Sequence, residues 1–229
     1  IGAEGNDATG NLAGHVRVYS IPVTVQTTFI DHTITTSADM AHSVYAVDVD
    51  GDGDMDVLSA SWNDDKIAWY ENDGSQNFTT HIITTSADGA SSVYAVDVDG
   101  DGDIDVLSAC QTGNSVFWYE NDGSQNFTTH AIATSADGAK SVYAVDVDSD
   151  GDIDVLSANY SGDKIAWYEN DGSQNFTTHI ITTSADGVLS VYAVDVDGDG
   201  DIDVLSAISA DDKIAWYEND GSQNFTTHI

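Results

Sequence analysis

Five carboxylates crowd into nine residues at Asp48-Val49-Asp50-Gly51-Asp52-Gly53-Asp54-Met55-Asp56, and the pattern returns from Asp97, Asp146 and Asp195, each start 49 residues after the last. Side-chain oxygens at positions 1, 3, 5 and 9 can converge on one cation: Asp48, Asp50, Asp52 and Asp56; Asp97, Asp99, Asp101 and Asp105; Asp146, Asp148, Asp150 and Asp154; Asp195, Asp197, Asp199 and Asp203. Glycine at position 6 permits the sharp turn such a cage needs. Position 7 (Asp54, Asp103, Asp152, Asp201) is expected to offer its main-chain carbonyl and leave its carboxylate to solvent or a water bridge. Hard oxygen donors with no His or Cys favour Ca²⁺ over zinc or copper, and a crowded, flexible cage suits Mg²⁺ less well. About four Ca²⁺ are expected, one per loop. An EF-hand does not fit, because position 12 is Ser59, Ser108, Ser157 or Ser206 inside a strand-like run, where that motif requires Glu and flanking helices. A merely solvated acidic turn would have to concentrate like charges on one hairpin four times over, against their own repulsion.

The elements that position these loops recur with them. In the copy from Ser92 to Ser135, Ser-Val-Tyr-Ala-Val-Asp-Val leads into the acidic loop and Ile104 to Ala109 follows it. Ser115 to Glu120 comes next, then the turn Asn121-Asp122-Gly123-Ser124, then Phe127 to Thr134. These are four short strands, A to D, apolar on both faces, as expected of a small sheet sandwiched between like neighbours. Four strands in 49 residues with tight turns is the pattern of a β-propeller blade, whereas a β-solenoid would use shorter coils. The sequence therefore predicts an all-β propeller of four-stranded antiparallel blades forming a single domain over 1–229, with blades at 43–85, 92–134, 141–183 and 190–229. A degenerate partial blade lacking strand A is expected at 1–36, making about five in all. The one proline, Pro22, falls outside the four regular copies, as strands that need every ladder donor require.

Composition narrows the function classes. Forty Asp plus Glu against 5 Lys plus Arg give a formal charge of −35, which repels nucleic acid phosphates and anionic membrane surfaces. Twenty of the 40 acids lie in the four loops, so four Ca²⁺ would take the total to −27. At 41% hydrophobic the chain has the apolar surface that a disordered acidic tail lacks. Cys110 is the only cysteine, so no internal disulfide can form, and Ser61, Asn159 and Ile208 at its place in the other copies make the thiol incidental. No run has the length of a membrane helix, and Ile1-Gly2-Ala3-Glu4 begins no signal core. The expected source is a mature product or an excised piece of a longer chain.

Asp-x-Asp-Gly-Asp-Gly-x-x-Asp between two short strands resembles the FG-GAP or VCBS repeat of integrin α-subunit propellers and many bacterial surface proteins. Ile1 to Ser20 is similar to the later part of an FG-GAP unit, and Trp-Tyr-Glu-Asn-Asp-Gly followed by Phe is closer to the VCBS type. Ser149, replacing the glycine at position 4 of the third loop, is the main departure within the loops. Such propellers often have seven blades, more than this chain supplies. The resemblance implies extracellular or cell-surface display, Ca²⁺ loops that stiffen the blades, and roles in adhesion or in recognising a glycan or protein ligand. An outside location also follows from affinity, since calcium modules with Kd of roughly 10⁻⁴ to 10⁻³ M fill only where calcium is abundant.

Comparing the copies with one another locates where they differ. The B-to-C turn begins Ser61-Trp62, Cys110-Gln111, Asn159-Tyr160 and Ile208-Ser209. The D-to-A turn reads Met40-Ala41-His42, Gly89-Ala90-Ser91, Gly138-Ala139-Lys140 and Gly187-Val188-Leu189. In a meander these two turns leave one edge of the sheet and the acidic A-to-B loop leaves the other. Trp62, Tyr160, Gln111, His42 and Lys140 are therefore candidate ligand-binding residues on the face away from calcium. The recurring Trp69, Trp118, Trp167 and Trp216 read as inter-blade packing, and His81, His130, His179 and His228 as structural strand residues. Asn77-Phe78-Thr79, its copies and Asn159-Tyr160-Ser161 fit the N-glycosylation sequon. The leading expectation is a noncatalytic binding or adhesion module. A calcium-dependent propeller hydrolase or lyase is the alternative, although no nucleophile elbow or zinc signature is present, and a structural spacer in a large surface protein is the third reading.

Overall fold

The computed structural model describes residues 31–229. Chain packing separates Ile1–Thr33 from Ile34–Ile229, and the account below concerns the second unit. The expected partial blade at 1–36 falls almost wholly outside the described residues.

Among the described residues, sixteen strands follow one another without a helix. They are β1 (Ala41–Val47), β2 (Asp56–Ser61), β3 (Lys66–Asn72), β4 (Phe78–Thr84), β5 (Ala90–Val96), β6 (Asp105–Cys110), β7 (Ser115–Asn121) and β8 (Phe127–Ala133). The second half repeats them as β9 (Ala139–Val145), β10 (Asp154–Asn159), β11 (Lys164–Asn170), β12 (Phe176–Thr182), β13 (Val188–Val194), β14 (Asp203–Ile208), β15 (Lys213–Asn219) and β16 (Phe225–His228). They form four antiparallel four-stranded sheets, each a simple meander, and these are blades of a propeller-like fold. Each blade begins about two residues earlier than the sequence pattern suggested, because the D-to-A turn is tight and the first residue of strand A already pairs across a bulge, as Ala41 does with Ser61.

Register settles which turns share an end. Val47 pairs with Asp56 around the acidic loop, while Ala41 pairs with Ser61 and Ser61 with Lys66. The acidic A-to-B loop and the C-to-D turn therefore leave one end of the blade, and the two variable turns leave the other.

The core is not inside a sheet but between sheets. Three buried clusters occur among the described residues, one per blade pair. In the first, Val49, Leu58, Ile67 and Trp69 from the back of one blade meet Ala90, Val93, Val106 and Tyr119 from the front of the next; the second and third repeat this arrangement. Trp69, Trp118 and Trp167 are thus inter-blade packing, whereas Trp216, on the last described blade, is half-buried and belongs to none of the three clusters. Strand A is innermost, since β5 packs on β1, β9 on β5 and β13 on β9. Along these strands Tyr45, Tyr94, Tyr143 and Tyr192 form a ladder with ring centroids 4.8–4.9 Å apart. The thiol of Cys110 is buried in the first cluster, and burial raises its pKa to about 11, consistent with an unreactive packing residue.

Ile165 and Ile214 occupy the same place in successive blades, yet Ile165 is fully buried and Ile214 is 72% exposed. Ile165→Ala is expected to cost about 2–5 kcal/mol and Ile214→Ala less than about 0.5 kcal/mol in dilute protein. Urea unfolding of the two variants checks this; equal losses would show that the neighbouring blade does not decide the core.

Candidate metal centre

The acidic loop is built by its own aspartates before any ion is considered. In the first blade the N–H groups of Gly51 and Gly53 donate to Asp48 Oδ1 and Oδ2, each at 2.9 Å. Those of Asp52 and Asp54 donate to Asp50 Oδ1 and Asp52 Oδ1 at 3.2 and 2.9 Å. Each is a side-chain-to-backbone turn of the kind Asp favours. The glycine at position 6 stands at φ 96–102° in all four loops, outside what L side chains readily adopt.

Position 9 plays a different part. Asp56, Asp105, Asp154 and Asp203 are fully buried. Asp105 Oδ2 accepts the N–H of Val98 at 3.0 Å and Oδ1 that of Asn121 at 2.8 Å, so one carboxylate ties the loop to the end of strand C. The other three blades repeat both bonds. Burial pushes the Asp105 and Asp154 carboxyls up to about 6, against the opposing pull of these N–H donors. The indole N–H groups of Trp118 and Trp167 act in the same sense as the donors without meeting hydrogen-bond geometry.

Oxygens of Asp48, Asp50 and Asp56 lie within 4.8 Å of one another, as do those of Asp97, Asp99 and Asp101, of Asp146, Asp148 and Asp154, and of Asp195, Asp197 and Asp199. Positions 1 and 3 are shared by all four clusters; position 9 completes two and position 5 the other two. This all-oxygen set suits a hard divalent cation, and a buried carboxylate with no countercharge is the group such an ion would relieve. Asp54, Asp103, Asp152 and Asp201 at position 7 join no cluster. Their carboxylates are half-buried against the C-to-D turn, where Asp152 Oδ2 and Asp201 Oδ2 lie 2.5 Å from where a Cβ would stand at Gly172 and Gly221. They are thus packed against the turn, not left to solvent, a placement that fits only because those positions are glycine.

The variable end gathers only part of the expected ligand set. His42 packs against Trp62 with ring centroids 4.9 Å apart and planes tilted by 34°, and Lys140, two blades away, holds its Nζ 5.4 Å from the centre of the same indole. Tyr160 is exposed, whereas Gln111 is half-buried with Oε1 unpaired. Burial lowers the pKa of Lys140, and burial followed by the charge of Lys140 lowers that of His42.

Reading the histidines only as structural strand residues misses the pairs they form across strands C and D. His81, His130 and His179 stack on Trp69, Trp118 and Trp167 at 4.4–4.6 Å and bond Glu71, Glu120 and Glu169 at 2.6–2.7 Å. His130 and His179 line inter-blade clefts, the first of about 520 Å³ and formed with Ser173, Gln174 and Phe176 of the following blade. Each pair's spacing of ten residues across an Asn-Asp-Gly-Ser turn was the readable signal.

A propeller-like stack with an aspartate loop in every blade defines a class, and comparison bears it out. The FG-GAP-like repeat model matches residues 8–59, 48–108, 97–157 and 146–206. The chain belongs to that family. No curated protein matches it. Among solved structures, one of a protein from Lactobacillus plantarum is 16% identical with a TM-score of 0.58, covering 82% of this chain and 54% of that one. The V. cholerae biofilm matrix protein Bap1 is 23% identical with a TM-score of 0.52, covering 81% of this chain and 27% of Bap1. The chain thus spans about half of the first and a quarter of the second, and the likeness is one of fold.

Two predictions follow from the loop geometry. The folded-state pKa of about 6 for Asp105 and Asp154 exceeds the ordinary 3.8, so between these values the folded chain holds protons that the unfolded chain has lost. Metal-free protein should therefore gain stability from these groups as pH falls from 6 toward 4, while calcium affinity declines over the same range because the ligands must be deprotonated. Asp73, Asp122 and Asp171, held below 3.8 chiefly by Asn77, Asn126 and Asn175, act with the opposite sign only in stronger acid. Thermal melts with calcium and with chelator across pH 4–7 read both trends. Separately, Ser149 stands at φ 64° where the other loops have glycine. There Asp146 Oδ1 takes the N–H of Asp150 at 3.2 Å, whereas Asp97 Oδ1 takes that of Gly100 at 2.8 Å. Ser149→Gly should stabilise the protein by about 1 kcal/mol, measured as a shifted denaturant midpoint.

Proposed function

We propose that this chain is a calcium-stabilised, noncatalytic binding module that works outside the cell or on its surface, in adhesion to a glycan or protein ligand. The observation that carries the reading is the aspartate cluster found in the acidic loop of each of the four blades, which includes or adjoins a buried carboxylate without a countercharge. Calcium at each site relieves that carboxylate and joins loop, strand B and strand C into one rigid corner. Sites of the low-affinity class fill at extracellular calcium levels and stay largely empty in cytosol. An adhesive role is in keeping with the similarity to a protein named for the biofilm matrix. Recognition falls to the end opposite the calcium loops, where variable side chains sit on turns held by main-chain bonds such as Tyr160 N–H to the Gly138 carbonyl at 3.0 Å.

Calorimetric titration of the chelated chain with calcium should show about four sites. The melting temperature should rise with calcium, each site adding about 2.7 kcal/mol when the ion is at 100 times its Kd. Glycan-array binding of the calcium-loaded chain should weaken with Tyr160→Ala and Lys140→Ala. Indifference of the melt to chelation overturns the metal reading; array binding untouched by both variants overturns the assignment of the face.

A further inference from the structure

Successive acidic loops are not separate sites on a common scaffold, because side chains tie each inner loop to the blade that follows. Val98 stands between Asp97 and Asp99, two members of the second cluster, and its carbonyl lies 3.4 Å from Nδ2 of Asn170 in the third blade. Asn170 is itself fixed on the third cluster. Its main-chain N–H donates to Asp154 Oδ1 at 2.8 Å, and Nδ2 also reaches the Ile153 carbonyl at 3.2 Å. Its Oδ1 accepts the N–H groups of Gly172 and Gln174, holding the turn that lines the same inter-blade cleft as Asp99. The next two blades repeat the link. Asn219 Nδ2 is 3.5 Å from the carbonyl of Val147, which stands between Asp146 and Asp148, and the Asn219 N–H donates to Asp203 Oδ1 at 2.8 Å. Val98, Val147, Asn170 and Asn219 are at most 3% exposed, so water does not compete for these bonds.

We propose, on the basis of the calcium reading of these loops, that adjacent loops fill cooperatively and that Asn170 and Asn219 carry the coupling. The peptide that bears the Val98 carbonyl sets the direction of the Asp97 and Asp99 side chains on either side of it. Ordering that peptide in one loop orders the asparagine bonded to it, and with the asparagine the Asp154 carboxylate of the next. The second ion then meets a site that has less freedom left to lose, and by linkage the effect is the same in either direction. Charge acts the other way. Each ion removes two of the 35 negative charges that attract the next, but salt screens exposed charges beyond about 8 Å at physiological strength, whereas the bonded path runs through buried groups.

Calorimetric calcium titration of the whole chain at about 0.15 M salt, with chosen loops silenced by Asp→Asn at positions 1 and 3, tests this. Asp48→Asn, Asp50→Asn, Asp195→Asn and Asp197→Asn together leave the second and third loops, an adjacent pair. Asp48→Asn, Asp50→Asn, Asp146→Asn and Asp148→Asn leave the second and fourth, a separated pair. In the adjacent pair the second ion is expected to bind about fivefold or more tighter than the same loop binds with its neighbour also silenced. The separated pair should bind independently. Asn170→Asp keeps the acceptor oxygens and removes the amide donor, so it should abolish the coupling in the adjacent pair. Circular dichroism and melting check that each variant is folded, and the comparison of adjacent with separated pairs needs no change at Asn170. Independent binding in the adjacent pair overturns the coupling and leaves the calcium reading intact; an unaltered chain that takes up no calcium overturns both. Cooperativity that is equal in the separated pair, or that survives Asn170→Asp, overturns the proposal by assigning the effect to the whole fold.

Discussion

One carboxylate per blade carries more of the geometry than any other group. The position 9 aspartate gives one oxygen to the start of the loop and the other to the end of strand C. The asparagine it anchors passes the constraint on. Asn121 donates from Nδ2 to the Ile104 carbonyl and accepts the N–H groups of Gly123 and Gln125 on Oδ1, which fixes the C-to-D turn. In the next blade Asn170 also reaches back, its Nδ2 3.4 Å from the carbonyl of Val98 in the preceding loop. Loop, three strands and the adjoining blade are thereby linked through two side chains. The cost is a buried negative charge, and the clustered oxygens are a set that could hold a cation to offset that cost.

Much of this was legible in the sequence because the period is fixed. A 49-residue repeat with four apolar runs leaves few foldings that cover each sheet on both sides, and parity of the meander assigns the acidic and variable turns to opposite ends. The clustering of the aspartates at positions 1 and 3 was legible for the same reason. What the pattern could not convey is direction. Aspartates at positions 5 and 7 have the same chemistry and alternate in the same loop, yet one points into the cluster in two blades and the other is packed on a glycine two strands away. Trp62 was readable as an aromatic at a variable turn. Lys140 reaches it across the intervening blade, where Ser91 Oγ donates to the carbonyls of Ala139 and Lys140. No local pattern encodes that span.

The same division explains why one end of each blade is constant and the other is free to vary. At the acidic end the hydrogen bonds run through side chains, so replacing one aspartate or asparagine removes a bond that the fold requires. At the variable end they run through the main chain. The N–H groups of Trp62, Gln111, Tyr160 and Ser209 donate to the carbonyls of Met40, Gly89, Gly138 and Gly187, and none of these bonds depends on which side chain is present. The exceptions support the rule. Asp65, Asn114 and Asp163 hold left-handed backbone angles of 50–52°, and each bonds from its side chain to the first N–H of the next D-to-A turn; only Asp or Asn occurs at these places.

That freedom bears on what the variable end can recognise. Trp62 would ordinarily be read as a stacking platform for a sugar, but its ring is flanked by His42 and Lys140, so it is already engaged. Lys66 and Lys213 are neutralised by Asp64 and Asp211, whereas the ammonium of Lys140 rests on an indole. A cation held on an aromatic face in a chain of net charge −35 keeps its capacity for a charge-assisted bond to an incoming acidic group. The exposed ring of Tyr160 on the neighbouring turn supplies the apolar surface that Trp62 does not. Of the variable side chains at this end, Lys140 thus keeps an unneutralised ammonium and Tyr160 an exposed ring, while Trp62 is already covered.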